Sequence, residues 1–227
     1  MCGRFTLILD PEELRSELQI GEIPALYTPR YNIAPSQPVL AVVDPTTREP
    51  IFLRWGLVPS WAKDIEIGSR LINARSETVP EKPSFRSAFM RRRCLILADG
   101  FYEWQKSTSA SKHSLPYYFY LKKHRPFTFA GLWEIWHSPE GDELHTCTIL
   151  TTDANPLLQP IHERMPVILN ADQRWKWMEP KTTIAELTAL CAPYPAEEMD
   201  AHPVSTRVNS PSADSSELIR PAAGLFP

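Results

Sequence analysis

Residues 94–105 read Cys94-Leu95-Ile96-Leu97-Ala98-Asp99-Gly100-Phe101-Tyr102-Glu103-Trp104-Gln105. Cys94–Ala98 and Phe101–Gln105 are short runs rich in branched and aromatic side chains, a composition that fits a pleated, half-buried surface. The same texture recurs downstream at Tyr117–Leu121, Phe127–Trp133 and Leu144–Thr151. Upstream it appears at Val39–Val43 and Pro50–Val58, joined by the turn-rich Asp44-Pro45-Thr46-Thr47 and therefore read as a hairpin. Helical patterns flank these strands at about 11–19, 84–92, 171–178 and 182–191. The first carries a start signal, with Asp10 as cap, Pro11 at the first helical position and Glu13 three residues beyond the cap; the third starts at Asn170. A βαβ array would alternate helices and strands throughout. Strands in the middle with helices around them instead predict an α+β fold, a single domain over 1–221 on a mostly antiparallel, barrel-like sheet with short flanking helices. Asn209–Ser216 reads as loop, and 222–227 as a flexible tail.

Composition narrows the class. The chain has 227 residues, 43% hydrophobic and 22% charged, the balance of an ordinary globular protein able to bury a core. It contains no apolar run near the roughly 20 residues of a membrane helix and no secretory start, so the expected location is the cytoplasm. Cysteines at 2, 94, 147 and 191 form no Cys-x-x-Cys pair, and no histidine spacing completes a zinc site, so neither a metal, another cofactor nor a disulfide framework is expected. Cys94 and Cys147 read as core residues. The net charge of −3 argues against indiscriminate nucleic-acid binding, yet Arg86, Arg91, Arg92 and Arg93 fall within eight positions. That cluster reads more simply as a solvated helix face. Twenty-three prolines against eight glycines, scattered along the chain, imply pinned loops.

The start, Met1-Cys2-Gly3-Arg4, carries the most distinctive chemistry. Once Met1 is removed, Cys2 holds a free α-amine and a thiol, with unperturbed pKa values of about 7.7–8.0 and about 8.5. Such a 1,2-aminothiol can condense with an aldehyde through nitrogen and close a thiazolidine through sulfur, or act as a thiol nucleophile with its own amine as base. Phe5-Thr6-Leu7-Ile8-Leu9 follows directly, so the terminus is expected to be tied into the fold.

Other polar residues occur where strand patterns end: Asn73 and Arg75, Glu103 between aromatics, and His162 before Glu163-Arg164-Met165-Pro166. Singly each has a plain structural role open to it: a turn-satisfying Asn, a strand Glu facing solvent, a His held by neighbours. Together with their surroundings they resemble the SOS-response-associated peptidase family, the SRAP domain, whose members crosslink themselves to abasic sites in single-stranded DNA. The matching segments are Met1-Cys2-Gly3-Arg4-Phe5, Arg30-Tyr31-Asn32-Ile33-Ala34-Pro35, Trp55-Gly56-Leu57-Val58-Pro59-Ser60-Trp61, Ile72-Asn73-Ala74-Arg75-Ser76-Glu77-Thr78, Asp99-Gly100-Phe101-Tyr102-Glu103-Trp104, Ile161-His162-Glu163-Arg164-Met165-Pro166 and His202-Pro203-Val204-Ser205, in family order.

The resemblance implies a monomer that shields abasic sites during the DNA damage or SOS response, associating with the nucleoid when bound. Cys2 would trap the ring-opened sugar aldehyde as a thiazolidine. Glu103 and His162 would move protons, and Asn73 would position the sugar or the terminus. Arg4 and Arg75 would contact phosphates, since a guanidinium offers them paired donors. Trp61 and Trp104, among the aromatics beside these groups, would cover bases next to the lesion. Trp133, Trp136, Trp175 and Trp177 are assigned to core or helix packing.

Rival readings use the same cysteine. As a thiol nucleophile Cys2 would make a peptidase, cleaving the Met1-Cys2 bond among others. An amidohydrolase with an amino-terminal cysteine also begins Met-Cys-Gly, but the downstream segments do not support it. A non-covalent single-strand sensor would make Cys2 incidental. The arginine cluster and the proline-rich 193–203 stretch match no family role.

Overall fold

A closed ring of five strands forms the centre of the computed structural model, which describes residues 2–106 and 114–222. In chain order the strands are β1 (Phe5–Leu7), β2 (Arg30–Ile33), β3 (Pro38–Val42), β4 (Pro50–Trp55), β5 (Asn73–Arg75), β6 (Arg93–Ala98), β7 (Gly100–Gln105), β8 (Leu115–Leu121), β9 (Phe127–His137), β10 (Glu143–Asp153), β11 (Arg164–Pro166), β12 (Ile168–Leu169) and β13 (Met199–Pro203). The helices are α1 (Pro11–Leu18), α2 (Arg86–Arg91), α3 (Ala171–Met178) and α4 (Ile184–Leu190), with short 3-10 turns between.

The ring runs β3-β4-β10-β9-β6 and back to β3; β9 pairs with both β10 and β6, which removes the open edges a flat sheet would expose. Within it only β4 and β10 run parallel. The short β5 joins β10 in parallel, and β11 and β12 extend the rim. A second, wholly antiparallel sheet of order β13-β8-β7-β1-β2 covers the ring. The expected α+β class with a barrel-like sheet is therefore present, and the 39–43/50–58 hairpin is the β3–β4 pair. The runs at 94–98 and 101–105 fall in different layers, β6 in the ring and β7 in the covering sheet.

Aromatic packing joins the layers. Phe5 on β1 meets Trp55 on β4 edge-on at 5.1 Å between centroids and Phe129 on β9 at 5.6 Å, while Phe101 on β7 lies 6.2 Å from Phe129. Phe5 is fully buried, so the first strand is pinned three residues beyond Cys2, as the apolar 5–9 run predicts. Below it, Asp99 accepts from Thr6 Oγ1 at 2.5 Å and from the Leu9 amide at 3.2 Å. Gly100 has to be glycine, because a Cβ there would stand 2.1 Å from the Tyr118 hydroxyl.

The helices start where their signals lie. Asp10 takes the amides of Glu12 and Glu13, and Asn170 and Thr183 each complete a reciprocal capping box. The arginine cluster corrects one expectation. Arg93 is not on a solvated face; it is buried and donates to the carbonyls of Phe89, Met90, Trp177 and Glu179, closing the ends of α2 and α3. Arg92 pairs with Glu134, and Arg86 and Arg91 are exposed as expected. All four cysteines are buried and unbridged, and among the described residues no helix is long and apolar enough to cross a membrane. The expected tail at 222–227 lies, beyond residue 222, outside the described residues.

Candidate active site around Cys2

The pairing of β1 with β7 builds one wall. Phe5 faces Phe101 and Thr6 faces Gly100, and the Tyr102 amide donates to the Arg4 carbonyl at 2.9 Å. Continuing that register sets Gly3 opposite Glu103, so the carboxyl comes beside the amino terminus. A strand glutamate facing solvent is thereby excluded, since Glu103 is 2% exposed. Burial pushes its carboxyl up to about 7, placing the proton exchange near neutral pH. Burial first, and the Glu103 charge second, push the Cys2 thiol well above its ordinary value. The Cys2 Sγ lies 3.8 Å from the Arg4 carbonyl.

The second wall is β5. Its parallel pairing with β10, Asn73 beside Ile149 and Arg75 beside Thr151, turns Asn73 toward the terminus. Asn73 Nδ2 donates to the Cys2 carbonyl at 2.8 Å. Its Oδ1 is buried and has no hydrogen-bond partner among the described residues, an acceptor left over inside the site. Arg75, two residues along the strand, shares the Asn73 face and is exposed.

His162 is held by the residue two positions on: its Nδ1 lies 3.0 Å from the Arg164 amide nitrogen and 3.1 Å from the Arg164 carbonyl oxygen. Burial lowers its pKa, with the amino-terminal charge adding to the effect, so this imidazole stands within electrostatic reach of the terminus. Cys2, Asn73 and Glu103, from segments up to 101 positions apart, thus converge, with His162 in electrostatic reach of the same terminus. Among the cavities, one of about 300 Å³ lined by Leu7, Tyr27, Ile33, Val39, Leu40 and Phe52 contains none of the four.

The residues expected to meet DNA differ in how tightly they are held. Trp61 is 60% exposed on a loop whose next residue, Ala62, gives its carbonyl to the Trp136 indole at 2.7 Å. Arg4 is partly buried, its Nη1 donating to Asn32 Oδ1 at 2.8 Å and to the Val208 carbonyl at 2.7 Å. Trp104 packs on a second apolar cluster around Tyr102 and Tyr118, with its indole donating to Asn209 at 2.8 Å. Trp55 is fully buried and donates to the Ile72 carbonyl behind Asn73, so it supports the site as a core residue.

Sequence reading assigned no role to Glu77 or Arg164, although both sit inside the quoted segments. Arg164 grips both Glu77 oxygens, at 2.9 Å each, and Asp153 at 2.8 Å. Two opposite charges inside two separate motifs were the available signal. The network at Thr6, Asp99 and Tyr118 arises in the same way, with Asp99 inside a quoted segment and given no role there.

Comparison with known proteins gives the family. Residues 1–211 match the family described as SOS response associated peptidase (SRAP). The abasic site processing protein YoqW of Bacillus subtilis (strain 168) is 46% identical over 223 residues, which span 96% of this chain and 99% of the relative. The abasic site processing protein HMCES of Gallus gallus is 36% identical, across 86% of this chain and 67% of that protein. An X-ray structure of a protein from Bacteroides thetaiotaomicron superposes with a TM-score of 0.86 at 28% identity, covering 97% of this chain and all of the other. The chain belongs to the SRAP family.

Proposed function

We propose that this protein captures abasic sites in single-stranded DNA by a covalent bond to Cys2, formed after Met1 has been removed. The observation that carries the reading is the convergence on Cys2 of a donor on its carbonyl, Asn73, and a buried carboxyl poised at about 7, Glu103. Its relatives named abasic site processing proteins support the choice of substrate.

The ring-opened sugar presents an aldehyde at C1′. The Cys2 amine adds to that carbon, giving a carbinolamine. Glu103 in its protonated form donates to the leaving hydroxyl, which departs as water and leaves a Schiff base. The Cys2 sulfur then adds to the same carbon while its proton passes to the Glu103 carboxylate, which restores the acid and leaves the ring nitrogen with its single hydrogen. One water is lost in all, and the product is a thiazolidine with two bonds from the protein to one carbon. With His162 Nδ1 held against Arg164, Nε2 is the atom assigned to proton transfer at the sugar. Asn73 Oδ1 accepts from the Cys2 amine or a sugar hydroxyl.

Arg75 and Trp61 meet the strand from exposed positions, as phosphate contact and stacking surface. Arg4 and Trp104 reach it from positions already tied into the fold. The same thiol could serve a peptidase, including a self-processing step at Met1-Cys2. Its burial and the adjoining carboxylate keep it protonated, however, which favours attack through the amine first.

The test is a denaturing gel after incubation with an oligonucleotide carrying one abasic site, beside the same strand with that site reduced to an alcohol. A heat-stable band only with the aldehyde, lost in Cys2→Ser while a borohydride-trapped band persists, is the expected result. An equal heat-stable band in Cys2→Ser overturns the reading.

A further inference from the structure

Arg164 makes a set of contacts unlike that of an ordinary ion pair. Its side chain is buried while its carboxylate partners, Glu77 and Asp153, lie nearer the surface. Nη1 meets Glu77 Oε1 at 2.9 Å and Asp153 at 2.8 Å, and Nη2 meets Glu77 Oε2 at 2.9 Å and the Thr151 carbonyl at 2.7 Å. The Thr151 carbonyl also takes the Ser76 amide at 2.9 Å, one residue before Glu77. Through its side chain Arg164 therefore holds the strap that carries Asn73 and Arg75, and through its backbone it holds the His162 imidazole.

We propose that Arg164 and Glu77 are positioning residues that lock the Asn73 strap and the His162 ring into one mutual geometry; this rests on the proposed crosslinking reaction. Burial of an ion pair gives little net stability, because desolvation opposes the attraction, and an apolar replacement of similar volume would hold the fold as well. What an apolar pair lacks is direction. A guanidinium bound by both oxygens of one carboxylate fixes orientation as well as distance, and lysine cannot reproduce that fork. Glu77 shows the strength of the contact: burial would raise its carboxyl, yet the hydrogen bonds from Arg164 hold it below its ordinary value. The two links meet in a single residue, so movement of the strap is passed on to the His162 ring.

The test is a double-mutant cycle on crosslinking rate, using Glu77→Gln, His162→Ala and the double variant, with thermal unfolding followed in parallel. Glu77→Gln slows crosslinking by about tenfold or more, the scale on which a misplaced reacting group costs rate. In the His162→Ala background the same change has little further effect, while it lowers the unfolding temperature equally in both backgrounds. Equal slowing in both backgrounds would show a merely structural role and overturn the proposal. A readout free of DNA is NMR titration of His162 in Arg164→Lys, which keeps the charge and loses the fork. The midpoint moves up toward the ordinary imidazole value if the ring loosens; a midpoint unchanged from wild type contradicts the proposal. If wild type forms no adduct while this midpoint moves, the reaction assignment fails and the positioning role stands.

Discussion

Asn73 and Cys2, 71 positions apart, are joined by a hydrogen bond from Nδ2 to the Cys2 carbonyl at 2.8 Å, with Asn73 Oδ1 buried beside it and unpartnered among the described residues. An asparagine whose only task was to satisfy a turn would have no reason to leave an acceptor orphaned in a site. Asn73→Ala is expected to slow adduct formation by about 100-fold, as misplacing a reacting group does, and to lower stability by only about 1 kcal/mol. Single-turnover gels and denaturant unfolding separate the two. A variant that loses stability but keeps the rate would remove Asn73 from the reaction.

Glu103 gives a pH dependence of defined sign. Its carboxyl in the folded chain lies at about 7, above an ordinary value of about 4.5. The folded state therefore holds this proton more tightly than the unfolded one. The contribution to stability is fully present below about pH 4.5 and is lost as pH rises through about 7, a change of roughly 3 kcal/mol for a buried group. Glu103→Gln, neutral throughout, is expected to remove that loss and to be relatively more stable above pH 7. Adduct formation in the wild type should show an inflection near pH 7 that the variant lacks. Parallel profiles for the two proteins would contradict the assignment.

Phe5 fastens the strand that presents Cys2. Phe5→Ala removes a fully buried ring between Trp55 and Phe129 and should cost about 3–5 kcal/mol. Adduct formation should also slow well below the melting temperature, because the terminus is then held by fewer contacts. Calorimetry and gel rates at one low temperature check both halves.

Much of the fold is legible in the sequence. The seven strands read from local texture, the β3–β4 hairpin and the caps at Asp10 and Asn170 depend on local pattern and appear where it sets them, although β4 ends at Trp55 and not Val58. The strands β1, β2, β5, β11, β12 and β13, none longer than five residues, are not read as strands from the sequence. Ring closure was not legible in detail, because the parallel β4–β10 and β5–β10 pairings depend on contacts between residues 92 and 76 positions apart. The candidate site followed the same division. Cys2, Asn73, Glu103 and His162 stood out by chemistry and motif. The burial that moves Glu103 toward neutral, and the fork between Arg164 and Glu77, arise only when separate segments meet. Arg93 shows the converse. Three arginines in a row look alike in sequence, and the packing of α3 against β6 takes one of them into the interior.

DNA contacts should divide by physical type. Arg75→Ala is expected to weaken binding to single strands uniformly and to reduce the salt slope by about 0.7, the value for one phosphate contact. Trp61→Ala should cost about 1–3 kcal/mol per stacked base with the salt slope unchanged. Fluorescence anisotropy across a salt series distinguishes them, and identical salt slopes for wild type and Arg75→Ala would remove Arg75 from the interface.

The central claim is that Cys2 bonds the lesion through both nitrogen and sulfur. Intact-protein mass spectrometry of the adduct, with and without prior treatment by a thiol-alkylating maleimide under denaturing conditions, tests it most directly. The account predicts the mass of protein without Met1 plus oligonucleotide less one water, and a Cys2 sulfur that resists alkylation while Cys94, Cys147 and Cys191 react. An adduct that retains Met1, or one in which all four cysteines are alkylated, would contradict it.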